Sequence, residues 1–259
     1  MNNSNIDIDI MTPDFGENVS QKVRETNSPQ FFEVSINEKA LLEILHKERK
    51  LNRQEKIVLE HVIVKKKYFF RFVKRTFDIV SSLIGIACSL IPMLIIAIFI
   101  KLNSKGPIIF KQERLGLNGK PFTVYKFRSM YFDSEKNGAQ WAEQNDPRVT
   151  KVGRFLRKTR LDELPQFFNI FLGNMSFIGP RPERKIFYDI FEEYIVGFNQ
   201  RLKVKPGLTG WAQVNGGYDL LPEEKIIYDL EYIKKQSFLM EIKCIIKTFK
   251  VLFTHNGAR

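Results

Sequence analysis

The sequence predicts an α+β chain, predominantly helical, in which one proline-bent helix enters a membrane and returns to the side it came from. The remainder is a cytosolic domain with one small β-hairpin. Three observations carry this reading. Ile79 to Ile100 holds no charged residue and is long enough to reach across a bilayer core, yet Pro92 lies inside it, removes a helical hydrogen bond and favours a kink. Basic residues stand on both flanks, so a spanning helix would carry one group outside against the positive-inside tendency, whereas re-entry keeps both in the cytosol. Downstream, short alternating runs give way to helical periodicity.

Each element follows in order. Residues 1–35 are polar, acidic and rich in Asn and Ser, with no apolar period, and read as a disordered extension. Residues 36–67 place Leu41, Leu42, Ile44, Leu45, Leu51, Ile57, Val58, Leu59 and Val62 among charges at roughly helical spacing, which predicts an amphipathic helical extension that docks or dimerises. A second copy of the chain is therefore a candidate partner. Residues 68–103 form a basic juxtamembrane segment and the re-entrant helix. Ser81, Ser82 and Ser89 are available to backbone groups freed at the bend. Residues 104–255 form the cytosolic domain. There, Pro107-Ile-Ile-Phe-Lys and Phe122-Thr-Val-Tyr-Lys-Phe read as hairpin strands joined through Gly116-Leu-Asn-Gly119. A polar loop at 131–150 leads to helical patterns at about 152–172 and 184–202. A Gly/Pro-rich loop over 205–217 precedes a helical region from Glu223 to Phe253.

The net charge of +12 calls for an anionic partner: lipid headgroups, a nucleotide or nucleic acid. Lys65, Lys66, Lys67, Arg71, Lys74 and Arg75 are interleaved with Tyr68, Phe69, Phe70 and Phe72, a mixture that suits nucleic acid. Because they abut the apolar segment, anionic inner-leaflet lipids explain them better, at about 1 kcal/mol per basic residue. No nucleic-acid-binding module is present. The two cysteines, Cys88 and Cys244, show no pairing pattern and read as reduced, and the three histidines lack metal-ligand spacing, which argues against zinc. No secretory signal occurs near the N-terminus.

Four segments carry chemistry. Lys126-Phe-Arg128 offers two cations around an aromatic. Arg157 to Gln166 sets Asp162 and Glu163 among basic residues. Such carboxylates bind a metal or attack phosphorus while the cations hold a polyanion. Pro165 suits the first turn of a new helix, which would place both acids at a partly positive helix end; a continuous kinked helix is the alternative. Gly179-Pro-Arg-Pro-Glu183 restrains the backbone around Arg181. In the Pro206 to Gly217 stretch, glycines permit close backbone approach and Trp211 is placed to stack on a base. Taken singly, each segment has a bland reading as a turn or as core.

Together the segments resemble the bacterial sugar transferases that act as monotopic polyprenyl-phosphate glycosyl-1-phosphate transferases. The resemblance runs from Lys74-Arg-Thr-Phe-Asp78 to Lys250. Its matching stretches include Lys101 to Pro107, Phe110 to Gly116, Tyr125-Lys-Phe-Arg-Ser-Met130, Leu161-Asp-Glu-Leu-Pro-Gln166, Gly179-Pro-Arg-Pro182 and Pro206 to Gly216. It implies a UDP-sugar donor and a polyprenyl phosphate acceptor at the cytosolic face of the bacterial inner membrane. It also implies transfer in two steps through a phosphosugar–aspartyl intermediate on Asp162. Glu163, with Asp162, would hold Mg²⁺ or assist proton handling. Lys126, Arg128, Arg157, Arg181, Trp211 and Gln213 would contact substrate. The chain departs from many members at Ile91, where Ser commonly precedes the membrane proline, and at Gly217, where Arg commonly follows Val-Asn-Gly. A non-catalytic membrane-bound adaptor of a glycan assembly complex is the alternative, disfavoured because the acidic and arginine positions are all intact.

Overall fold

The computed structural model describes residues 56–254 apart from 66, 135–145 and 218–219. In order these form β1 (Ile57–Val58), α1 (Tyr68–Asn103), β2 (Ile109–Leu115), β3 (Pro121–Phe127), α2 (Lys151–Thr159), α3 (Gln166–Leu172) and β4 (Ser176–Ile178). There follow α4 (Lys185–Tyr194), β5 (Ile195–Val196), β6 (Gly207–Thr209), α5 (Trp211–Val214), α6 (Pro222–Lys234) and α7 (Phe238–Thr254). Single 3₁₀ turns occupy Leu117–Gly119, Leu161–Glu163 and Phe198–Lys203. The chain is thus mostly helical with a few short strands, and the expectation for residues 1–35 lies outside the described residues.

The helical expectation for 36–67 fails over its described part, which is extended. Ile57, Leu59, Val62 and Val64 turn inward, and Val58, Ile63 and Lys65 turn out. β1 pairs in parallel with β5, Val62 is buried in the main core beside Tyr188 and Phe198, and its N–H donates to Gln200 Oε1 at 2.6 Å. β-branched residues with inward-facing alternation favour a strand once a partner edge exists.

α1 runs through Pro92 as one helix of 36 residues. It is long and apolar enough to cross a membrane. Its buried positions, Phe70, Asp78, Ser82, Ser89, Met93, Ile96 and Ile100, recur along one face over nearly its whole length. Ser89 Oγ donates to the Gly85 carbonyl and Ser82 Oγ to that of Ile79, so neither serves the Cys88 carbonyl that proline leaves without its i+4 donor. Three of the six basic residues assigned to lipid bond within the protein: exposed Lys67 donates to the Gln236 carbonyl at 2.6 Å. Lys74 pairs with Glu241, and Arg75 donates from Nη1 to the Ile170 carbonyl and from Nη2 to the Phe171 carbonyl, both at 2.7 Å, capping the end of α3. Asp78 accepts from Ser176 Oγ and the Phe177 N–H, each at 3.0 Å, fixing α1 to β4.

β2 and β3 pair antiparallel from Ile109↔Phe127 to Leu115↔Pro121. The connecting turn needs left-handed backbone at Asn118 and Gly119, residue types that tolerate it. β4 pairs in parallel with β6. The helical stretch expected over 152–172 is in fact two helices. Arg160 takes a left-handed conformation (φ 57°), ending α2, and Pro165 stands at the N-cap of α3. Of the two arrangements open to Pro165, a new helix start is the one observed. Likewise 184–202 divides into α4, β5 and a 3₁₀ turn, and Glu223–Phe253 divides at Lys235–Ser237 into α6 and α7.

Candidate active site

The interruption between α2 and α3 creates the site. Reversal at Arg160 and restart at Pro165 leave Asp162 and Glu163 on a tight turn facing β3. Asn169 then fastens the strand to the helix: its Oδ1 accepts from the Tyr125 N–H at 3.0 Å and its Nδ2 donates to the Thr123 carbonyl at 2.7 Å. The adjacent Lys126 is thereby held over Glu163. A cavity of about 640 Å³ is bounded by the hairpin, this turn, the Gly179–Glu183 segment and α5.

The two carboxylates have opposite surroundings. Glu163 Oε1 accepts from Lys126 Nζ at 3.0 Å and from Arg181 Nη2 at 2.6 Å. Burial alone would raise its pKa, but Arg181 and Lys126 outweigh burial and hold it well below the usual carboxylate range. Asp162 meets no hydrogen-bond donor among the described residues. Burial raises it most, Lys126 offsets part of that, Glu163 raises it again, and the balance lifts it from 3.8 to about 6. A clamped anion therefore stands beside a carboxylate poised near neutrality, the separation of roles that environment imposes on paired acids. Arg157 adds positive potential at Asp162 and is steadied through Nε on Ser129 Oγ at 2.9 Å.

Seven of the sequence-predicted residues line the cavity: Asp162, Glu163, Lys126, Arg128, Arg157, Arg181 and Gln213. Arg128 nevertheless points its guanidinium the other way. Nη1 donates to the Lys105 carbonyl at 2.9 Å, and Nη2 donates to the Ser104 carbonyl at 2.7 Å and Ser104 Oγ at 2.9 Å, so Arg128 caps the end of α1 rather than offering a free charge to phosphate. Gly106 makes room for it, since a Cβ there would lie 2.1 Å from Arg128 Nη1. Trp211 lies outside the lining: its indole N–H donates to Glu231 Oε2 at 2.7 Å and Lys247 stands 4.4 Å from its ring centroid. Base stacking by Trp211 is unsupported in this placement.

Sequence reading missed the frame around Arg181. Arg114 donates to the Pro182 carbonyl at 3.2 Å and pairs with Glu183 at 3.0 Å. Arg201 donates from Nε to Asp229 at 2.6 Å and from Nη2 to the Arg181 carbonyl at 3.0 Å. Arg114 and Glu183 sit within or beside matched stretches and were findable. Arg201 and Asp229 stand in helical patterns that give no sign of pairing.

No cluster of three His, Cys, Asp or Glu residues is present among the described residues. Asp162 and Glu163 still suit Mg²⁺, which takes one or two carboxylates and completes its octahedron with phosphate oxygens and water.

Residues 69–255 match the bacterial sugar transferase family. An Aeromonas hydrophila UDP-N-acetylgalactosamine-undecaprenyl-phosphate N-acetylgalactosaminephosphotransferase is 45% identical over 193 residues, covering 73% of this chain and 46% of that protein. The Escherichia coli UDP-glucose:undecaprenyl-phosphate glucose-1-phosphate transferase is 46% identical over 193 residues, 73% of this chain and 42% of that one. A Salmonella typhimurium undecaprenyl-phosphate galactose phosphotransferase is 40% identical over 203 residues, 73% of this chain and 42% of that one. The chain spans less than half the length of these relatives, and the sugars in their names differ.

Proposed function

The chain belongs to the bacterial sugar transferase family, and from that premise we propose that it transfers a sugar 1-phosphate from a UDP-sugar to polyprenyl (undecaprenyl) phosphate, releasing UMP. The product would begin a lipid-linked glycan, such as capsule, exopolysaccharide, O-antigen or a protein glycan. The observation that carries the reading is Asp162, which meets no hydrogen-bond donor among the described residues, beside the doubly clamped Glu163 in a cation-lined cavity.

In the first step an Asp162 carboxylate oxygen attacks the sugar-proximal phosphorus. The bond from that phosphorus to the bridging oxygen breaks, and UMP leaves with the electron pair. In the second step an oxygen of polyprenyl phosphate attacks the same phosphorus and expels the Asp162 carboxylate, giving polyprenyl-diphospho-sugar. Two steps let the soluble donor depart before the lipid phosphate enters. With a pKa of about 6, Asp162 is mostly ionised at neutral pH and remains a competent leaving group. Arg157, Arg181 and Lys126 hold the phosphates and offset charge gathering on the equatorial oxygens. Mg²⁺ held by Asp162 and Glu163 would supply further neutralisation of phosphate charge.

α1 would enter and leave the inner membrane on its cytosolic face. Support comes from the domain packing along nearly the whole helix and gripping both its ends. Arg71 and Lys65, both exposed, would face anionic lipid headgroups.

The test is UMP release from a panel of UDP-sugars by protein in a lipid bilayer mimic with Mg²⁺ and undecaprenyl phosphate. Release with one sugar, lost in Asp162→Asn and Asp162→Ala, is the expected result. Undiminished release in both variants would sink the nucleophile assignment, and silence of folded wild type across the panel would favour the adaptor.

A further inference from the structure

Arg201 and Asp229 form an ion pair, 2.6 Å apart, whose side chains are each only 2% exposed. Arg201 borders the cavity but is too buried to take up phosphate itself. Its guanidinium lies over the rings of Phe198, at 5.0 Å, and Tyr188, at 5.8 Å. One face of the fork is spent on Asp229 and the other on the main-chain carbonyl of Arg181. Burying two charges in an apolar core is a poor way to gain stability, because desolvation offsets most of their attraction. Holding one carbonyl in one place is a use to which a planar two-direction donor is suited. From the other side, Arg114 grips the next carbonyl, that of Pro182, and the Glu183 carboxylate. The turn that supplies Arg201 is itself seated by the chain before α1. Gln200 bonds both the Val62 N–H and the Glu60 carbonyl, and Lys203 Nζ donates to the Val62 carbonyl at 2.6 Å. That strap precedes residues 69–255, the portion matching the family.

We propose that Arg201, oriented by Asp229, is a positioning residue for the site: it fixes the Arg181 backbone so that the Arg181 guanidinium reaches Glu163 and the donor phosphates. The catalytic part of this inference rests on the transferase reading above; the positional part does not.

Asp229→Asn risks misfolding, because it leaves Arg201 buried without its counter-charge. The decisive protein is therefore Arg201→Met with Asp229→Leu, which removes both charges and keeps the volume. Arg201→Lys is its companion, since a compact ammonium lacks the planar fork that reaches Asp229 and the Arg181 carbonyl in two directions. Hydrogen exchange reads position whether or not the chain turns over a sugar. Exchange at the Leu115 and Gly207 amides, which donate to the Glu183 and Pro180 carbonyls on either side of Arg181, should rise in both proteins while the melting temperature of the Met/Leu protein stays near wild type. Unchanged exchange there would overturn the proposal. UMP release then reads consequence. The Met/Leu change should raise the donor KM about tenfold with kcat far less affected. In an Arg181→Ala background the same change should add nothing further. Full additivity in that cycle, or wild-type KM in the Met/Leu protein, would mean that the pair serves only the core. If wild type releases no UMP while exchange rises as expected, it is the reaction reading that has failed.

Discussion

Asp162→Asn should abolish turnover and stabilise the protein, and the size of the gain follows from its surroundings. Burial and the neighbouring Glu163 charge lift the Asp162 pKa from 3.8 to about 6. Roughly two pKa units at about 1.4 kcal/mol each amount to about 3 kcal/mol by which the fold disfavours the ionised carboxylate. The sign follows from proton binding. Folded protein holds the Asp162 proton more tightly than unfolded chain, so stability falls as pH rises from 3.8 to about 6 and the full penalty applies above that. A carboxamide of the same shape carries no such penalty. At about 2–4 °C per kcal/mol for a chain of this size, Asp162→Asn should melt roughly 6–12 °C above wild type at pH 8. The gap should close as pH is lowered through 6 towards 4. The assay is thermal unfolding in lipid nanodiscs across this range, with chelator present because a bound cation would favour the ionised form. Equal melting at pH 8, or a gap that widens in acid, would refute the view of Asp162 as a disfavoured buried anion.

Other consequences are quicker to test. The kcat/KM for UMP release should fall in acid, since the attacking form is the carboxylate, with a midpoint that moves down as Mg²⁺ is raised because the cation favours the ionised form; a rate that climbs with acidity would contradict the Asp162 environment. Gly106→Ala should disrupt folding, because the position has φ +122° and a Cβ would strike Arg128 Nη1; a wild-type melting curve would show that the cap on α1 is dispensable. Trp211→Phe should leave the donor KM within about twofold and cost about 1 kcal/mol of stability through the lost bond to Glu231; a large KM effect would restore the indole to the site.

What the sequence disclosed and what it withheld divide along a physical line. The hairpin was legible because alternation and a Gly-Leu-Asn-Gly turn are local signals, and the acid pair because Arg157, Asp162, Glu163 and Pro165 lie within one short segment. The strap at Ile57–Val64 was not legible. Its apolar residues satisfy helical spacing as well as alternation, and the partner that decides between them, Ile195–Val196, lies far along the chain. The bonds that Arg128 makes at the end of α1 were hidden for a related reason. Charge counts treat every cation alike, and only the fold reveals that the unsatisfied carbonyls ending α1 come to rest against this one. Arg201 and Asp229 were invisible because their meeting depends on packing the Phe198–Lys203 turn against α6.

The placement of α1 yields one more test. At about 1.5 Å per residue its 36 residues measure roughly 54 Å, far more than the approximately 30 Å bilayer core. Length alone would permit a steeply tilted span. Packing argues otherwise, because α1 touches the domain near both ends. Lys74 and Arg75 hold its first turns to α7 and α3, Asp78 holds it to β4, and Met93, Ile96 and Ile100 share a core with Phe127 and Leu156. Crossing the bilayer would drag α3 or β4 into hydrocarbon with their polar groups, at several kcal/mol for each one left unsatisfied. Single cysteines at the exposed positions Lys65 and Lys105, introduced with Cys88 and Cys244 replaced by serine, report the geometry directly. An impermeant maleimide should label both in inside-out vesicles and neither in sealed spheroplasts. Labelling of one position from each side would establish a span and detach the helix from the packing described above.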